Sequence, residues 1–179
     1  INQAYFLGGP EQAVEALNRN LDLQIDDFAT FNWKAVVDAV NILGGVDVEL
    51  SKAEFYYINA YITETVEATG VGSYQLKQAG PNHLDGVQAV AYARLRKMDT
   101  DFARTERQRE IIDLCFQKLK KSDFAVVNNV MEAVFPQILS SVTIDDIIPA
   151  ARNLTKYTIA DTMGFPAARS DANMGKKGA

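Results

Sequence analysis
The stretch Trp33-Lys-Ala-Val-Val-Asp-Ala-Val-Asn-Ile-Leu43-Gly-Gly-Val-Asp-Val-Glu-Leu50 decides the fold class. Trp33, Val36, Val37, Val40 and Leu43 recur at the spacing of one helical face. Gly44-Gly45 stops that helix, because a residue near a helix C-cap often needs positive φ. Val46, Val48 and Leu50 then alternate with Asp47 and Glu49, the period of a strand with one wet face. Helix, glycine stop and strand in direct succession predict an α/β protein.

The pattern continues outward in both directions. Gly9-Pro10 opens a helix whose apolar face is Ala13, Val14, Leu17 and Leu21; proline is tolerated there because its missing N–H has no partner to lose. Asp27 to Phe31 reads as a short strand. Ala53 to Ala68 is helical, ended by Gly70 and Gly72. Ser73 to Lys77 reads as a short strand, Gly80-Pro81-Asn82 as a turn, and Asp85 to Tyr92 as a short helix. Thr105 to Lys121 is a long helix with Ile111, Leu114, Cys115 and Leu119 on its core face. Ser122-Asp123 caps a helix through Val134, and Thr143 caps another from Ile144 to Leu154. Tyr157 to Met163 reads as a strand. The order predicts a sheet covered by helices, in one domain over residues 1–163, with 164–179 a mobile polar tail.

Composition narrows the function classes. The chain has 179 residues, 47% of them apolar, which is enough to bury a core. The balance of 18 basic against 23 acidic residues, with no recognisable helix-turn-helix, argues against a nucleic-acid binder. A single cysteine and a single histidine, Cys115 and His83, exclude an internal disulfide and a Cys/His zinc cage. No apolar run approaches the ~20 residues that cross a bilayer. The chain starts at Ile1 and is read as a piece of a longer protein.

The chemistry concentrates between Arg94 and Arg109, where six basic and three acidic residues give a local +3 in a chain of −5. Arg94 and Arg96 share a face if the backbone is extended. Arg104, Arg107 and Gln108 share a face on a helix. A loop bearing Asp99 and Asp101 joins the two groups and allows four guanidiniums and one amide to converge at a helix N-terminus. Free N–H groups and the helix dipole favour an anion there, and arginine forks bind phosphate oxygens bidentately. A diphosphate suits that charge. The plainer reading is a solvated helix face, with Asp99 and Asp101 paired to Arg104 and Arg107.

The string Ala-Tyr-Ala-Arg-x-Arg-x-x-Asp-x-Asp-Phe-x-Arg-x-x-Arg-Gln, residues 91–108, resembles the signature of the LytR-CpsA-Psr family. Ala4-Tyr5 with Gly8-Gly9-Pro10, Phe31-Asn32 through Val40, Leu43-Gly-Gly-Val46, and His83-Leu-Asp-Gly86 with Gln88-Ala89 resemble other parts of it in order and spacing. The resemblance is close over residues 1–115 and looser beyond. It implies an α-β-α sandwich with a central mixed sheet, here an N-terminally truncated version. It implies a phosphotransferase that moves a glycopolymer (teichoic acid, capsule or another wall polysaccharide) from a polyprenyl-pyrophosphate carrier to peptidoglycan. By position in the motif, Arg94, Arg96, Arg104 and Arg107 would hold the pyrophosphate, supported by Gln108 and positioned by Asp99 and Asp101. Mg²⁺ is the implied cofactor. Its ligands and the favoured catalytic base belong to a family segment upstream of Ile1, so no metal ligand is assigned in this chain. The implied setting is the outer surface of a Gram-positive-type cell, anchored by an upstream membrane helix. A non-catalytic polyprenyl-phosphate or glycolipid binding module is the alternative.

Three further features carry weaker expectations. His83 suits a general base by its ordinary pKa, but its place in a turn favours a structural role. Cys115 reads as a packed thiol. Tyr56, Tyr57 and Tyr61 either line a lipid or sugar groove or simply pack, and the helices at 53–68 and 124–134 are candidate walls of a lipid pocket.

Overall fold
The structure, a computed structural model, describes residues 2–98 and 100–160. Helix α1 (Asn2–Leu21) is kinked at Gly8 and Gly9, and Gly9 takes φ 71°, so Pro10 starts the second helical piece as expected. Strand β1 (Ala29–Phe31) follows, then α2 (Trp33–Ile42), capped by the Asn32 side chain, and β2 (Val46–Leu50). The glycine stop between them is real: Gly44 and Gly45 have φ of 75° and 77°.

Helix α3 (Lys52–Thr69) opens with a capping box of Ser51 and Glu54 and ends on a left-handed Gly70. Strand β3 (Gly80–Leu84) and helix α4 (Gly86–Arg94) come next, the latter boxed by Asp85 and Gln88. Helix α5 (Asp101–Lys121), α6 (Phe124–Val134), β4 (Ile138–Ser140) and α7 (Ile144–Arg152) complete the order.

The core lies where α2, α3 and α4 meet the inner face of β2 and β3. Val46, Val48 and Leu50 point into it, while Asp47 and Glu49 face outward. Every residue of α4 from Gly86 to Tyr92 is buried, so this short helix is enclosed by α2, α3, α5 and β3.

The mixed α/β class holds. Among the described residues the strands form two antiparallel two-stranded ribbons, β1 with β4 and β2 with β3. β1 and β4 are three residues each, too short to extend a sheet across the molecule.

Four local expectations are corrected. Ser73 to Lys77 forms no strand, because the Asn59 side chain satisfies both the N–H and the carbonyl of Leu76 and Gln88 binds the Tyr74 carbonyl. The Gly80-Pro81-Asn82 segment is part of β3, in register with β2 from Leu50↔Gly80 to Val46↔Leu84. Among the described residues β3 pairs with β2 alone, so Pro81 removes no ladder bond to a second strand. Helix α5 starts at Asp101, not Thr105, because the Thr100 hydroxyl accepts from Ala103 N–H and Asp101 sits favourably in the first turn. Residues 157–160 are not a strand. The expected tail at 164–179 and the Asp99 assignment lie outside the described residues.

Candidate functional site
The arginines flank the short connection from α4 to α5. Arg94 ends α4, and its guanidinium lies 3.7 Å from the centroid of the Trp33 ring. It donates to Thr65 Oγ1 at 2.7 Å and to Glu64 Oε2 at 3.4 Å. Thr65 is fully buried and donates in turn to the Tyr61 carbonyl at 2.7 Å. Arg94 is thus clamped between the second half of α3 and the start of α2.

Asp101 brings Arg96 and Arg104 together. Its carboxylate takes Arg96 Nε at 2.9 Å and Arg96 Nη2 at 3.2 Å, and Arg104 Nη1 at 3.2 Å. Asp101 thus touches two of the arginines that it is expected to position. Arg104 Nε is buried and finds no hydrogen-bond partner among the described residues, a donor available to an added acceptor.

Arg107 is turned inward. Only 5% of it is exposed; it donates to the Leu95 carbonyl at 2.7 Å and to Glu54 Oε1 at 3.4 Å. Its guanidinium lies 5.9 Å from the Tyr92 ring. Burial, and then the bond to Glu110, push the Tyr92 hydroxyl far above its usual range. Gln108 is exposed and donates to the Ala93 carbonyl at 3.5 Å.

Sequence reasoning missed Trp33, Glu54, Glu64 and Thr65 as partners of these arginines. Thr65 carried a signal: it continues the apolar stripe Ile58, Tyr61, Ile62, and a hydroxyl on such a stripe needs a buried partner. Trp33, Glu54 and Glu64 carried none, because their link to the arginine motif exists only once α2, α3 and α4 pack.

His83 lies apart from the arginines, on the outer face of β3. Its Nδ1 is 2.6 Å from Asp47 Oδ1 and its Nε2 2.9 Å from the Gly44 carbonyl. Lys118 Nζ donates to the same carbonyl at 3.3 Å. The structural role is the one these contacts describe. Burial pushes the Cys115 thiol up, as expected for a packed cysteine. The tyrosines of α3 divide: Tyr61 is buried, Tyr57 packs against the core and Tyr56 is exposed.

Two cavities of similar size lie on these helices. One of about 510 Å³ is lined by residues of α6, α7 and the turn that follows α6, including Phe124, Met131, Phe135 and Ile148. A neighbouring crevice places Phe124, Ala151 and Arg152 against Leu119 and Lys120 of α5. That is the opposite end of α5 from Arg104, about 24 Å away along the helix. The second cavity, also about 510 Å³, is lined by Phe31, Asn32, Trp33, Lys34, Ala68 and Thr69, and shares Trp33 with Arg94.

Comparison with known proteins places this geometry. The LytR_cpsA_psr family model matches residues 1–172. The chain is 30% identical over 156 residues to the polyisoprenyl-teichoic acid–peptidoglycan teichoic acid transferase TagU of Bacillus cereus, covering 86% of this chain and 46% of that protein. It is 28% identical over 149 residues to TagV of Bacillus subtilis, a transferase of the same description, covering 82% and 36%. The solved structure of TagT bound to LIIa-WTA superposes with a TM-score of 0.64 at 27% identity, over 86% of this chain and 54% of that one. The chain thus spans about half, or less, of the length of the relatives it matches. With the arginine motif, the glycine stop after α2 and the capped entry into α4 all falling inside the matched span, the chain belongs to the LytR_cpsA_psr family.

Proposed function
We propose that this protein works as a phosphotransferase that moves a glycopolymer of the teichoic acid class from a polyprenyl-pyrophosphate carrier to peptidoglycan at the cell surface. The observation that carries the reading is the set of arginines at the α4–α5 connection, with Arg96 and Arg104 held side by side by one carboxylate. Family membership and the names of the relatives support the polymer and the acceptor. Capsular or other wall polysaccharides are the variants of the same chemistry.

In this reading Arg94, Arg96 and Arg104 bind the diphosphate, and their charge stabilises the transferring phosphoryl group while a sugar hydroxyl attacks. Arg107 acts from behind: through the Leu95 carbonyl it holds the connection that carries Arg96. Gln108, on the Ala93 carbonyl, steadies the end of α4. Mg²⁺, implied by the family resemblance, does not fit the described residues. No group of three acidic, histidine or cysteine side chains among them is arranged to hold a metal ion, and Asp101, Glu54 and Glu64 are already ion-paired to arginines.

The alternative reading is a binding module for polyprenyl-linked glycans without turnover. Calorimetry with a polyprenyl-pyrophosphate sugar tests both. The expected result is binding that Arg94→Ala weakens by about 1.5–3 kcal/mol, the range for hydrogen bonds to charged groups, and that Lys120→Ala leaves intact. Equal losses in both variants would overturn the arginine site. Binding without release of polyprenyl phosphate in the presence of peptidoglycan would favour the module.

A further inference from the structure
The chain carries a net charge of −5, yet one end of the fold gathers cations. Lys120 and Lys121 close α5, Arg152 closes α7, and Lys156 ends the short 3-10 turn that follows, Leu154–Lys156. Packing brings these ends together, because Lys120 and Arg152 line one crevice with Phe124. Among the described residues none of the four cations forms an ion pair, whereas Lys34, Arg94, Arg96 and Arg104 all do. The carboxylates nearby are engaged locally: Asp123 Oδ1 accepts from Val126 N–H at 2.9 Å, and Glu132 Oε1 accepts from Asn128 Nδ2 at 2.7 Å. Asp145 and Asp146 lie in the first turn of α7, at the other end from Arg152.

A lysine or arginine at a helix C-terminus complements the dipole and needs no further reason. What stands among these cations does. Phe124 is 70% exposed at the start of α6, and Tyr157, next to Lys156, is 51% exposed. The crevice between the helix ends is walled by Leu119, Val127, Ala151 and Leu154. Unpaired cations around exposed aromatic rings and an apolar crevice make a surface suited to lipid. The cations meet anionic headgroups, the rings enter the interfacial layer, and the lysine stems lie along apolar surface. A soluble polyanion would pair with the cations and leave Phe124 in water.

We propose that the joined ends of α5 and α7, with the start of α6, form a docking face for the surface of an anionic phospholipid bilayer. Phe124 enters the headgroup layer, and Lys120, Lys121, Arg152 and Lys156 meet the lipid phosphates. The face is separate from the arginine motif, since Arg104 is about 24 Å away along α5. It goes beyond the diphosphate reading and does not depend on it.

The test is co-sedimentation of the full chain with two kinds of vesicle, phosphatidylcholine alone and an equal mixture of phosphatidylcholine and phosphatidylglycerol. Each cation at an anionic surface is worth about fivefold in partitioning. The chain is expected to bind the anionic vesicles at least about tenfold more tightly than the neutral ones, and to lose that preference as salt screens the exposed charges. Lys121→Gln/Arg152→Gln is expected to weaken binding to anionic vesicles about twentyfold, and Phe124→Ser about fivefold or more. These three side chains are exposed, so the variants keep the fold, which circular dichroism checks. Lys52→Gln/Lys77→Gln, the same charge change at exposed lysines outside the face, should bind as the wild type does.

Equal partitioning into the two kinds of vesicle, or none into either, would overturn the docking face. So would anionic binding that survives both the charge variant and Phe124→Ser. Loss of binding in Arg96→Gln/Arg104→Gln, with the helix-end variants unaffected, would assign the lipid to the arginine motif instead. If soluble polyphosphate displaces the vesicles and Phe124→Ser changes neither interaction, the face is a polyanion site and the bilayer proposal falls.

Discussion

Arg107 and Arg94 belong to one sequence motif but meet different physics. Arg107 is buried against Glu54, itself largely buried, so removing the guanidinium strands a carboxylate in the interior. Arg107→Ala is expected to destabilise the fold by about 3–5 kcal/mol, read from urea melts, with Arg94→Ala costing much less. Near-equal stability of Arg107→Ala and wild type would show that Glu54 is not held by this pair. His83 makes a separate prediction. Its hydrogen bond holds the Asp47 carboxyl below the usual carboxylate range. With the folded value depressed, the bond's stabilisation is present above the unfolded carboxylate pKa and is lost as pH falls through the folded one. NMR titration of His83→Ala should show the Asp47 midpoint moving up to the ordinary value; an unchanged midpoint would remove His83 as the cause.

At the scale of elements, the entry into α4 shows how closely two helices can be forced together. Gly86 is buried, its N–H donates to Asn41 Oδ1 at 2.7 Å, and a Cβ built on it would lie 2.1 Å from the Val37 carbonyl oxygen. That neighbour is backbone of α2 and cannot rotate away. Gly86→Ala should therefore push α4 off α2, costing about 3 kcal/mol or more, measured by thermal or urea unfolding. Because α4 carries Arg94 at its far end, the same variant should weaken diphosphate binding without altering any ligand-contacting side chain. Five helices carry their start in the sequence: Asn32, Ser51, Asp85, Asp123 and Thr143 all cap as side chains accepting a backbone N–H, whereas α5 starts four residues before the expected Thr105, on a Thr100 cap. β3 was not legible. Gly80-Pro81-Asn82 is turn chemistry by local rules, and only pairing with β2 makes it a strand.

Over the whole molecule, stability is unevenly distributed. The buried residues concentrate in α2, α3, α4, β2 and β3, whereas Phe6 and Leu7 of α1 are largely exposed and α7 contributes no buried side chain among the described residues. Amide exchange should accordingly be slowest in α4 and β2 and fastest in α1 and α7. Mass-spectrometric exchange showing α1 as protected as α4 would contradict that order. The two cavities follow the same division. The cavity lined by Phe31 and Trp33 borders the well-packed α2–α3 region and Arg94, while the apolar α6–α7 cavity sits at the other end of α5, on less buried helices.

The sequence by itself determined the elements that close on local interactions: caps, glycine stops, the alternation of β2 and the helical faces. It also determined the arginine motif, because those side chains are close in the chain. Tertiary structure alone decided what each arginine does. Arg107 became a buried ion pair because α3 brings Glu54 to it, and Arg94 became the edge of an aromatic groove because α2 brings Trp33. Burial and long-range pairing depend on which elements pack together, and no spacing along one stretch of chain encodes that.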